Sequence, residues 1–125
     1  MLETLEAKDS RVGSLVTVEP TTPVRIALSA ITAHDIGQLP VMKDGECIGS
    51  LTESRLMAEV IEDPEILDRP VETVMHAPFP VLDGAVAADR VRPLLTRRNA
   101  AVLVREGGDI VGIITRYDVV RALTG

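Results

Sequence analysis

A mixed α/β fold of the α+β kind, built from two β-α-β-β-α repeats, is predicted by three features of the sequence. One phrase occurs twice, as GSLTESR at residues 49–55 and GIITRYD at residues 112–118, each running Gly, two residues, Thr, two residues, then a charge. Each phrase lies at the end of two short apolar runs joined by a Gly-containing turn, which signals a β-hairpin. Apolar residues at helical spacing precede each hairpin and follow each phrase. One such unit buries little by itself, so the two are expected to pack through their sheets about a local two-fold axis. The 125 residues, 46% of them hydrophobic, suffice for that core without a disulfide or metal.

The elements follow in order. Residues 1–13 are polar and read as a lead-in helix or tail. The first repeat spans 14–63. LVTV (15–18) is a β-branched strand, broken by Pro20. Thr22 is suited to cap a helix, with Pro23 at its first position. Val24, Ala27, Leu28 and Ile31 recur on one face of that helix, and Gly37 is expected to stop it. LPVM (39–42) and CIGSL (47–51) form a hairpin through Asp44-Gly45. Thr52 should cap the next helix, with Leu56, Met57, Val60 and Ile61 apolar. Residues 64–75 are a proline-flanked linker, in which VETVM forms a short helical turn. The second repeat spans 76–125: a strand at FPVL (79–82), a helix over 85–98 that Pro93 must kink or delay, and a strand at AAVLV (100–104). A turn at 106–109, one residue longer than the first, leads to the strand IVGII (110–114). Thr115 caps the last helix, whose apolar face carries Val119, Val120 and Leu123.

Composition narrows the function. The net charge is −6 and the chain has one Tyr and one Phe, so nucleic acid is not an expected partner. No apolar run reaches the roughly 18 residues of a membrane span, and the N-terminus does not read as a signal peptide. A cytoplasmic protein is expected. The single Cys47 reads as a reduced core or edge residue. His34 and His76 stand apart from other metal-ligand types, so no metal is expected. No nucleophile–base arrangement is present, and Glu62-Asp63 reads as a solvated face, so no enzyme is expected. Met42, Met57 and Met75 read as core. Arg97-Arg98 reads as a helix-end pair.

The LVTV run, QLPV, the Asp-Gly hairpin, GSLTESR, PVETVM, NAAVLV and GIITRYD together resemble the CBS-domain pair, or Bateman module, over residues 12–125. The last part is most similar to the regulatory tail of bacterial cystathionine β-synthases, which carry a pyridoxal-phosphate catalytic domain upstream. The resemblance implies a regulatory module, either an excised tail or a stand-alone unit. It would bind AMP, ADP, ATP or S-adenosylmethionine between its repeats and form a homodimer, with no resident cofactor. A ligand-free assembly module, dimerising through Leu56, Met57, Val60 and Val119, Val120, Leu123, is the alternative.

The chemistry of GIITRYD fits such a ligand. Ile113 or Ile114 can pack on a ring, and Thr115 with the helix N–H groups can seat an anion. Arg116 supplies a cation there, and Asp118 can accept from ribose hydroxyls. The plain alternative is a capping box with Asp at its last position. Family geometry implies that Thr115 and Asp118 face Ile36, Gly37, Gln38 and Leu39, with Val16 and Thr17 nearby, and Ile113, Arg116 and Tyr117 belong to the same implied site. Gln38 reads a purine edge, caps the preceding helix or faces solvent. In the first copy Thr52 keeps the anion seat, but Arg55 cannot accept a hydrogen bond. That implied second site, with Phe79, Asn99 and Ala100, is degenerate. Arg55 there holds a polyphosphate or, more in keeping with its position, pairs with Glu59 at i+4.

Overall fold

Both hairpins form at their Gly-containing pairs. Asp44 and Gly45 have φ of 53° and 81°, and Gly107 and Gly108 have φ of 57° and 87°, so each closes a two-residue turn of the kind that suits twisted strands. The computed structural model describes residues 4–5, 15–84, 86–95 and 99–124, with side chains described except at 4–5, 86–89 and 122. In chain order the strands and helices are β1 (Thr4–Leu5), α1 (Val24–His34), β2 (Gln38–Lys43), β3 (Glu46–Thr52), α2 (Glu53–Glu62), β4 (Val81–Asp83), β5 (Val86–Ala87), α3 (Ala88–Val91), β6 (Ala101–Glu106), β7 (Asp109–Thr115) and α4 (Arg116–Thr124). They fall into two units, one of Val16–Pro78 and one of Met1–Leu15 with Phe79–Gly125.

In the first of these units β2 and β3 run antiparallel, with Gln38 opposite Thr52 and Val41 opposite Gly49. The register then shifts, pairing Met42 with Cys47, so Ile48 is the extra residue of a bulge. The LVTV run does not form the expected strand among the described residues. It contributes a single parallel bridge, Val18 to Val41, because Pro20 and the turn from Glu19 to Thr22 end the extended path at once. Thr22 does not cap α1 either. Its Oγ1 accepts from the Glu19 N–H at 3.2 Å, and Pro23 occupies the cap position. The helix ends at Asp35, in the left-handed region with φ of 51°, two residues before Gly37. Asp tolerates that conformation better than most residues, so glycine is not needed there. Val24, Ala27 and Ile31 bury one face of α1 against Leu39, Val41, Leu51, Leu56 and Val71.

The linker is more structured than its prolines suggest. Pro64–Asp68 and Val71–Thr73 are 3₁₀ turns. Beyond them, His76 exchanges both backbone hydrogen bonds with Ser50, at 3.0 and 2.9 Å, and Ser50 Oγ donates to the Ala77 carbonyl at 2.6 Å. The segment therefore docks beside β3 as a one-residue strand.

In the other unit β4 runs parallel to β6, and β6 antiparallel to β7, with Ala101 opposite Thr115 and Val104 opposite Gly112. Here too the register shifts, pairing Arg105 with Ile110 and leaving Val111 as the extra residue. In both repeats, then, the bulged residue immediately precedes the glycine of the repeated phrase. The second turn is not longer than the first, since two residues separate the strands in each. The strand expected at 79–82 lies at Val81–Asp83. The expected long helix begins with β5, which pairs with β1, continues as one α turn and tightens to 3₁₀ at Arg92–Leu94. Pro93 has no N–H to continue an α-helical ladder. Arg97 and Arg98, and all of the lead-in except Thr4–Leu5, lie outside the described residues. Val91, Val102, Val104, Val111, Ile114 and Val119 form the core.

Candidate functional site

The second copy of the repeated phrase ends β7 and starts α4. Thr115 is the last strand residue and is buried. Its N–H donates to Asp118 Oδ2 at 2.8 Å and its hydroxyl donates to the same oxygen at 3.0 Å. In return the Asp118 N–H donates to Thr115 Oγ1 at 3.4 Å. This reciprocal pair is a capping box, with Asp standing where Glu or Gln is more usual. The helix start has thus claimed Oδ2, and none of the three bonds uses Oδ1. A carboxylate has lone pairs on both oxygens, so Asp118 retains acceptor capacity on its second one.

Around this pair, Ile114 is fully buried in the core, while Ile113, on the opposite face of β7, is buried outside that cluster. Arg116 is exposed. Tyr117 is also exposed, and its ring lies under the Arg121 guanidinium, 5.7 Å from the centroid, an i,i+4 cation–π pair along α4. Of the face expected to be apolar, only Val119 is buried, whereas Val120 and Leu123 are exposed.

The first copy differs at each corresponding point. Thr52 occupies the cap position of α2, yet its side chain makes no cap bond, and its buried Oγ1 has no hydrogen-bond partner among the described residues. Arg55, where the second copy has Asp118, has no carboxylate to complete a box. The Glu53 N–H donates instead to the Gly37 carbonyl at 2.9 Å. The expected Arg55–Glu59 ion pair is absent among the described residues, because Glu59 Oε1 meets His76 Nε2 at 3.2 Å. Gly49 is closed off as well: a methyl group there would collide with Met75 Sδ and come within 2.8 Å of its Cγ. Sequence reasoning took Met75 for core, where it packs, but did not name Gly49 as its neighbour. The signal was present in a strand glycine, which marks close approach by another group.

The remaining predicted site residues are divided between the units. Ile36 packs beside the first core and Leu39 is fully buried in it, so the Leu39 side chain serves packing. Gln38 is half-buried on β2. Val16 is half-buried and Thr17 exposed, and both line a groove against α1. Phe79 and Ala100 are buried in the second unit, and Asn99 is half-buried there. Among the described residues no group of three or more His, Cys, Asp or Glu is placed to hold a metal, and no helix is long and apolar enough to cross a membrane. Cys47 is half-buried, with Sγ 3.2 Å from the Gly49 carbonyl.

Two repeats with matching bulges, matching turns and the same phrase at the strand–helix junction define a tandem α+β module. The CBS domain family model matches residues 12–62 and 71–125, and the chain belongs to that family. It is 29% identical over 113 residues to an inosine-5'-monophosphate dehydrogenase from Thermoplasma acidophilum, covering 87% of this chain and 22% of that protein. The chain therefore spans about a fifth of that relative's length. Among solved structures it is similar to a CBS-domain containing protein from Agrobacterium tumefaciens, at 30% identity and a TM-score of 0.76, covering 87% of this chain and 89% of that one. It is also similar to CBSX2, solved in complex with AMP, at 27% identity and a TM-score of 0.70, covering 90% and 89%. These likenesses are to CBS-domain proteins in general. They do not single out the cystathionine β-synthase tail.

Proposed function

We propose that this chain is a regulatory module that binds an adenine nucleotide at the Thr115–Asp118 end of β7. The observation that carries this reading is the division of labour in the Asp118 carboxylate. Oδ2 holds the start of α4, while Oδ1 lies outside the box and can accept from ribose hydroxyls without unfastening the helix. The first copy supports the contrast, since Arg55 offers only donors and Met75 covers Gly49. AMP in the related CBSX2 structure supports the ligand class. The exposed cation at Arg116 favours a phosphate over the sulfonium of S-adenosylmethionine. The ligand regulates through different affinity for two states of the protein it controls.

The ligand-free assembly reading draws on one further observation. Met57 and Ile61 on α2, and Tyr117, Val120 and Leu123 on α4, are exposed apolar side chains, between 49% and 79% accessible. Such residues suit a homodimer contact.

A thermal-shift series with AMP, ADP, ATP and S-adenosylmethionine tests the first reading. Saturating ligand at a hundred times its dissociation constant stabilises by about 2.7 kcal/mol, or roughly 10 °C for a chain of this size. A rise with nucleotides that disappears in Asp118→Ala supports it. No rise with any compound leaves assembly as the function.

A further inference from the structure

A groove of about 620 Å³ lies within the Val16–Pro78 unit. One wall is the stripe Ile26, Ala30 and His34 of α1, spaced by four residues along the helix, and the other is the segment around Thr17. Met42 adds apolar floor, and Ile26 is 53% exposed, so a large aliphatic surface lies open there. The size is within the range of occupied ligand sites, about 300–1,000 Å³.

Two features specify what fits. Both acids of the groove stand on backbone held by turns: Glu19 where the Thr22 N–H donates to its carbonyl at 3.0 Å, and Asp44 in the left-handed backbone of the hairpin. Among the described residues no lysine or arginine lines the groove. In addition, Val18 alone of residues 15–18 is hydrogen-bonded to the sheet among the described residues, so the stretch before it offers backbone that an extended chain can pair with. We propose that this groove docks an extended segment of a partner protein in which lysine or arginine alternates with apolar residues. The apolar side chains would cover Ile26 and Met42, and the cations would meet Glu19 and Asp44.

The test uses short fluorescein-labelled peptides of alternating lysine and valine, glutamate and valine, and lysine and serine, followed by fluorescence anisotropy. The lysine–valine peptide should bind, with the other two much weaker. Glu19→Gln combined with Asp44→Asn should weaken it about tenfold, as expected for two exposed ion pairs near the upper end of their range. Asn tolerates the backbone of Asp44, so the hairpin survives, and circular dichroism checks this. Ile26→Ser should weaken binding as well. Equal affinity in the neutralised variant, equal binding of the glutamate peptide, or no binding of the lysine–valine peptide would overturn the proposal. Nucleotide binding should be the same in the neutralised variant and the parent, so this test and that of the Thr115–Asp118 site fail separately.

Discussion

Replacing Gly49 with alanine tests the packing of the first repeat. Gly49 has no positive φ, so its backbone accepts alanine, and any cost arises from what the methyl group meets. It would meet Met75, overlapping Sδ and lying 2.8 Å from Cγ and 3.2 Å from Cβ. Because Cβ is also tight, rotating the thioether away does not fully relieve the crowding. Overpacking of this kind costs about 1–3 kcal/mol. The lost freedom of the unfolded chain returns about 0.4–1 kcal/mol, leaving a net loss of about 1–2 kcal/mol. For this chain length that is a fall in Tm of about 4–8 °C. Urea unfolding followed by circular dichroism, with the slope held constant, gives the free energy. Met75→Ala provides the internal control. If the two side chains collide, the double variant is more stable than the sum of the single losses, by about 1–2 kcal/mol. A Gly49→Ala protein as stable as the parent, or strictly additive losses, would refute the reasoning.

The two threonines of the repeated phrase should respond in opposite ways. Thr52→Val removes a buried hydroxyl that has no partner among the described residues, so it should be neutral or stabilising by up to about 1 kcal/mol. Thr115→Val breaks the capping box and should cost about 1–2 kcal/mol, read by the same urea titration. Dimerisation through the exposed helix faces predicts that Ile61→Glu and Leu123→Glu each shift sedimentation toward monomer with unchanged circular dichroism, and a monomeric parent would contradict it.

The order of elements was legible because it rests on local rules. Asp-Gly and Gly-Gly fix the turns through backbone conformation, and apolar spacing places α1 and α2. The misses share a cause, which is competition among nearby groups for one side chain. Thr22 reads as a cap but turns back to Glu19, Thr52 reads as a cap yet its hydroxyl has no partner among the described residues, and Glu59 takes His76 rather than Arg55. Val119, Val120 and Leu123 of α4 read as one stripe, yet of these three only Val119 enters a core. At the site, Thr115 and Asp118 were legible as a pair because the same three-residue spacing serves both a capping box and a ribose acceptor. That shared spacing is also why sequence alone left both readings open.

The most direct test is the stoichiometry of AMP binding by isothermal titration calorimetry, on the parent chain, on Asp118→Ala and on Arg55→Ala. One site per chain, lost in the first variant and kept in the second, is the predicted result. No heat of binding in the parent, or binding that survives Asp118→Ala unchanged, would contradict a nucleotide site at Thr115–Asp118.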